Sequence, residues 1–94
     1  MAEAHRVSYY PTTDDLFITF ELNRPTVGIT ENASEYEVFA DDELMQKGIT
    51  KIVAVEILDM DGFDPEKAME IPMEYLSIVA EAYYKQRPDK RKTA

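Results

Sequence analysis

Carboxylates are the residues of this chain that could do chemistry. Asp59-Met60-Asp61-Gly62-Phe63-Asp64-Pro65-Glu66 crowds acids around a glycine, and hard cations take several oxygen ligands from a tight turn of this kind. The register does not fit an EF-hand. With Gly62 in the sixth position, the first ligand would be Ile57 and the twelfth Ala68, and neither can bind. A turn followed by a helix cap accounts for the same residues, with Asp64 as N-cap and Pro65 at the first helical position; a cation site of another geometry stays open. Asp14-Asp15 and Asp41-Asp42-Glu43 are paired acids at turn positions. Such pairs do acid–base work when burial raises one pKa, and turns of this composition are normally solvated. Glu56 is different. It lies in the most apolar segment of the chain, where a buried carboxylate needs a cation, and Arg6, Arg24 and Lys51 are the available partners unless Glu56 points outward.

The remaining inventory narrows the function. There is no cysteine and one histidine, His5, so thiolate chemistry and a histidine-based triad or metal cluster are excluded. The chain reads as non-enzymatic, with no cofactor and no metal. Its net charge is −9, and all but one of the 19 Asp and Glu precede residue 85, while half of the Lys and Arg follow residue 84. A body so acidic repels nucleic acid and anionic membranes and attracts basic partners. The tail Lys90-Arg91-Lys92 is too small a cationic patch to reverse this. The N-terminus carries no apolar leader, and no stretch approaches the roughly 18 apolar residues of a membrane helix. A cytoplasmic protein is expected.

The elements that must position these residues are mostly strands. Residues 6–10 form a short strand, Pro11-Thr12-Thr13-Asp14-Asp15 a turn, and residues 16–22 alternate Leu16, Ile18, Phe20, Leu22 against Phe17, Thr19, Glu21. Residues 26–30 give a third strand weakened by Gly28. Residues 35–40 set Tyr36, Val38, Ala40 against Glu35, Glu37, Phe39. Residues 50–58 are apolar on both faces, which marks a central strand. A short helix is expected from Asp64 to about Glu70, and a second over 72–86 stopped by Pro88. The fold class is therefore α+β: a twisted antiparallel sheet of about five strands followed by a C-terminal helix, one domain over 6–87. Residues 1–5 are expected to be a loose terminus and 88–94 a disordered basic tail.

The C-terminal helix carries two apolar stripes, Met73, Leu76, Val79, Ala80, Tyr83 and Ile71, Tyr75, Ile78, Ala82. One stripe about 100° wide is the norm for a surface helix, so two imply two neighbours. Phe17 and Phe39 likewise lie opposite the main core rows. Either residues 41–50 and 59–71 fold back over the second sheet face, or a partner covers it. A homodimer is expected, with Tyr75, Leu76, Ile78 and Val79 as interface candidates. Tyr83 and Tyr84 are adjacent on the helix and cannot both face the core, so one of them is a candidate exposed anchor.

Two of these segments carry a family resemblance. YYPTTDDLFITF resembles the hairpin of domain-of-unknown-function family 2283, which shows an aromatic, a Pro-containing acidic turn, an Asp and then Leu-aromatic-Ile. Those positions are Tyr9 or Tyr10, Pro11, Asp15, Leu16, Phe17 and Ile18 here. Ala54-Val55-Glu56-Ile57-Leu58-Asp59 is similar to the family's closing strand, Gly-(Ile/Phe)-Glu-Ile-Leu-Asp. The resemblance covers residues 6–61. Tyr10 stands where the family has Asp, Ala54 where it has Gly, and the C-terminal helix is an addition. What the resemblance implies is a small, sheet-rich bacterial or phage-type protein of no established activity, with an antitoxin-like role beside small toxins.

The expected function is a non-enzymatic protein-interaction module. Its alternative is an acidic inhibitor, antitoxin-like or phage anti-defence, that masks the phosphate-binding surface of a basic nucleic-acid-binding protein. Glu35, Glu37, Asp41, Asp42 and Glu43 are the candidate phosphate mimics.

Overall fold

Strict alternation in two segments builds the sheet. Leu16 and Ile18 of one strand and Tyr36 and Val38 of another are all buried, and both strands pair with the apolar segment between them. The computed structural model describes residues 5–91. Its strands are β1 (Arg6–Tyr10), β2 (Asp15–Thr19), β3 (Thr26–Gly28), β4 (Tyr36–Asp41) and β5 (Ile52–Ile57), and its helices are α1 (Asp42–Gln46) and α2 (Met73–Gln86). The five strands form one sheet in the order β1-β2-β5-β4-β3, with every pairing antiparallel. β5, apolar on both faces, takes the centre. A bulge at Phe39/Ala40 brings Ile52 opposite Ala40 and so turns both Ile52 and Val55 to the core side.

The core lies on one face of the sheet. There α2 contributes Val79, Ala82 and Tyr83, and the segment after β5 contributes Met60, Phe63, Ala68 and Ile71. Three aromatic rings form the centre of this layer. Phe63 meets Tyr36 edge-on at 5.7 Å and Tyr83 at 5.1 Å between centroids. Each such pair adds about 0.5–1.5 kcal/mol beyond area burial. Tyr83 is buried and its hydroxyl donates to the Met60 carbonyl at 2.8 Å. A buried hydroxyl with a backbone partner locks the loop to the helix.

Two carboxylates fasten the connections. Asp14 adopts φ 56°, which lets the β1–β2 turn close, and it accepts from the Tyr9 hydroxyl. Arg87 donates to both Asp14 oxygens, at 2.7 and 2.6 Å, and ties the end of α2 to the hairpin. Glu70 accepts from the backbone N–H groups of Glu31 at 2.7 Å, Asn32 at 2.9 Å and Ala33 at 2.9 Å, and its own N–H donates to the Tyr36 hydroxyl at 3.0 Å. This carboxylate in a backbone nest holds the 59–71 segment over β4.

Several expectations change. The helix expected over Asp64 to about Glu70 is a single 3-10 turn, Pro65–Lys67, with Asp64 accepting from the Glu66 N–H at 2.9 Å. Residues 42–46 form α1 because Asp41 caps it, accepting from the Leu44 N–H at 3.1 Å. The start of the basic tail is ordered: Pro88–Lys90 make a 3-10 turn and the Arg91 guanidinium lies 4.8 Å from the centroid of the Tyr84 ring. Residues 92–94, with Lys92, and residues 1–4 of the expected loose terminus lie outside the described residues.

The two apolar stripes of α2 merge into one wide stripe, except for Met73, which stands exposed at the start of the helix. Val79, Ala82 and Tyr83 are buried, and Tyr75, Leu76, Ile78 and Tyr84 pack against the same core from either side. Val79, expected at a dimer interface, and Tyr83, a candidate anchor, are interior residues. Val79→Asp is expected to unfold the chain rather than only dissociate it, read as loss of the cooperative transition in circular dichroism. Tyr83→Phe strands the Met60 carbonyl and is expected to cost about 1–2 kcal/mol in chemical denaturation. A neutral result would mean that another donor reaches that oxygen.

Candidate functional site

The face of the sheet opposite the core is where unabsorbed side chains collect. Antiparallel register puts Phe17, Glu56 and Glu37 side by side across β2, β5 and β4, and Thr19, Ala54 and Phe39 in the next row. The Phe17 and Phe39 rings stack across the two rows with centroids 5.7 Å apart and planes at 26°. Neither ring belongs to the core cluster, and both are half-buried. Ala54, between them on the same face, is only 2% exposed, and its small side chain lets the rings close over β5.

Asp15 completes the acidic half of this face, diagonal to Glu56. Burial pushes the Glu56 carboxyl up, and the charge and hydrogen bond of Asp15 and the charge of Glu37 add to it. Among the described residues none of the three forms an ion pair. The cations expected for Glu56 are engaged elsewhere or lack a partner. Arg24 pairs with Asp41, Lys51 with Glu21 at 2.7 Å, and Arg6 makes no ion pair among the described residues. Glu37 reaches outward along the sheet to accept from the Thr30 N–H at 3.0 Å. Gly28 makes room for it, since a Cβ there would stand 2.7 Å from Glu37 Oε2.

The other sequence candidates do not converge. Asp41 is fully buried, with Arg24 Nε 2.6 Å away, so it is a structural cap and not a surface mimic of phosphate. It is the last residue of β4, and its carboxylate is taken up by Arg24 and by the Leu44 N–H at the start of α1. Glu43 shares Arg24 at 3.2 Å, and Asp42 accepts from Gln46 at 3.3 Å. Glu35 is half-buried, with its carbonyl taking the N–H groups of Leu58 at 2.8 Å and Asp59 at 3.1 Å. In the 59–66 loop, Asp59 accepts from the Gly62 N–H at 3.0 Å and Asp64 caps the following turn, so both are committed to backbone. Tyr75 packs on Phe20 at 4.7 Å, and Tyr84 lies half-buried between Tyr83 and Arg91.

The chain matches no protein-family model, no curated protein and no solved structure. Its reading therefore rests on its own geometry.

The aromatic pair with Glu56, Glu37 and Asp15 was only half legible in sequence. Alternation placed Phe17, Phe39 and Glu37 off the core face and left Glu56, in a strand apolar on both faces, either buried or outward. Which of them become neighbours depends on strand order and register, and no local signal carries those.

Two opposite pH signatures follow. Hydrogen bonds from Tyr9 and Arg87 hold Asp14 below its ordinary range, Arg24 does the same for Asp41, and the Glu31 and Asn32 amides do so for Glu70. Depressed folded-state values contribute stability above the unfolded carboxylate range of about pH 4, lost as pH falls through the folded values. Glu56 is raised, so its charge costs stability at neutral pH, and the cost disappears below its unfolded value. Glu56→Gln is expected to raise Tm near neutral pH and leave it unchanged at about pH 3.5. Thermal melts of both proteins at the two pH values check the sign; an equal Tm at neutral pH would show that the carboxylate is not desolvated.

Proposed function

We propose that this chain is a non-enzymatic interaction module whose open sheet face receives a basic segment of a protein partner. The observation that carries the reading is the stacked Phe17–Phe39 pair beside Glu37, Glu56 and Asp15, apolar rings and acids without an ion pair among the described residues, on a surface outside the core. A guanidinium or ammonium there would meet ring faces and carboxylates together, and it would offset the burial that chiefly raises Glu56 and the charges of Asp15 and Glu37 that add to it. The net charge of −9 would steer such a partner in.

The inhibitor reading is a narrower form of this proposal, in which the basic segment belongs to a nucleic-acid-binding surface. Its acids would be Glu37, Glu56 and Asp15 with Glu35, in place of the Asp41–Glu43 row that Arg24 and the α1 cap occupy. A bacterial or phage origin and an antitoxin-like role rest on the hairpin and closing-strand resemblance alone.

A fluorescent decapeptide alternating arginine with glycine is a direct probe. The expected result is binding that weakens steeply with salt and falls about tenfold or more in Phe17→Ala and in the Glu37→Gln/Glu56→Gln double variant. A Glu66→Gln/Glu74→Gln double variant removes the same charge elsewhere and is expected to bind nearly as well. Equal loss in both double variants would reduce the effect to net charge and sink the assignment of the face.

A further inference from the structure

The two edges of the sheet are treated differently. β3 is three residues long, follows Pro25 and ends at Gly28. Short edges bordered by proline and glycine resist pairing with another chain. β1 is also bordered by a proline, Pro11, but it is longer and ends in no glycine. It is five residues, Arg6–Tyr10, without an internal proline, glycine, bulge or acid, and among the described residues it pairs only with β2, so no described strand takes the backbone groups on its outer side. On its core side the strand is incompletely covered. Val7 is 44% exposed, and between β1 and α2 runs a groove of about 520 Å³ with Val7, Leu16, Ile78 and Ala82 among its walls.

We infer that β1 pairs antiparallel with β1 of a second copy, centred on Ser8, to give a two-fold dimer with one continuous sheet. This register follows from side-chain complementarity. With Ser8 facing Ser8 of the second copy, Val7 meets the second copy's Tyr9 on the core side, and Arg6 meets the second copy's Tyr10 on the open side. β-branched–aromatic and Arg–Tyr pairs are favourable cross-strand neighbours. Tyr10, 51% exposed in the single copy, gains cover, and the groove beside Val7 is closed by the second copy's Tyr9.

Charge selects the same arrangement. Tyr10 faces Asp15 across β1–β2, so an Arg6 laid over the second copy's Tyr10 points at the second copy's Asp15. Arg6 makes no ion pair within its own chain among the described residues, and Asp15 contributes to the repulsion on Glu56. The two-fold axis stands perpendicular to the sheet, so both open faces end on the same side of the dimer. A basic partner with two sites could then engage both.

Sedimentation of the intact chain across the micromolar range tests this. The wild type is expected to form a two-copy species. Arg6→Glu and Val7→Lys are each expected to weaken it about tenfold or more, with unchanged circular dichroism because both side chains are exposed. Arg6→Glu combined with Asp15→Arg restores the charge pair and is expected to recover most of the affinity. A wild type that stays monomeric throughout overturns the proposal. A dimer indifferent to Arg6→Glu and Val7→Lys also overturns it, and would place the contact on another surface such as the outer side of α2 or the open sheet face.

Discussion

The fold is governed by a mismatch between its two layers. Five strands spaced about 4.8 Å apart make a sheet about 19 Å wide, and a single helix is about 10 Å across. α2 therefore covers only part of one face. The chain makes up the deficit with the irregular segment after β5, whose Met60, Phe63, Ala68 and Ile71 fill the layer beside the helix. Such a segment brings few apolar groups and many backbone polar ones, so it must be pinned. The Tyr83–Met60 hydrogen bond and the Glu70 nest supply the pins. With residues 59–71 completing the first face, the described residues place no further helix or strand over the outer side of β1 and leave Phe17 and Phe39 half-buried on the second face. Both surfaces discussed above are consequences of that shortage.

The same geometry sorts the carboxylates. Asp14, Asp41 and Glu70 each bind donors across long sequence separations and join elements that share few apolar contacts: hairpin to helix end, β4 to the β2–β3 loop, and the 59–71 segment to the loop before β4. They act as covalent staples do in other small domains, in a chain that has no cysteine. Of the acids on the open face, Glu37 accepts from the Thr30 N–H, and Asp15 and Glu56 form no ion pair among the described residues. The distinction does not follow from burial alone, because Asp41 is fully buried and stabilised while half-buried Glu56 is destabilised. It follows from whether a cation or an amide is within reach.

Where sequence reasoning worked, periodicity was doing the reasoning. The antiparallel sheet of five strands and the central position of the doubly apolar segment express side-chain alternation, and the structure reproduces them. It faltered where the answer depends on what lies across space. Leu76 and Val79 looked like interface residues because local pattern does not show that the 59–71 segment joins the helix in one core layer. Asp41 looked like a surface acid because its place in a DDE run does not show that Arg24, 17 residues earlier, and the Leu44 N–H close over its carboxylate. Glu56 was correctly singled out as anomalous, yet the cation expected for it is absent: register puts Asp15 and Glu37 beside it instead.

That unfavourable cluster has a physical use. An open sheet face with two stacked phenylalanines is prone to stack on any other apolar face, including its own. Like charges set among the rings raise the cost of that encounter, because two such faces brought together would bury six carboxylates that form no ion pair among the described residues. The charges do not oppose a cation, whose approach neutralises them. On the function proposed above, the stability lost at Glu56 is the cost of a face that would discriminate by charge, against neutral and acidic surfaces and for basic ones. Edge pairing through β1 leaves this discrimination intact, since it extends the sheet sideways and brings the acids of two copies onto one side without pressing them together.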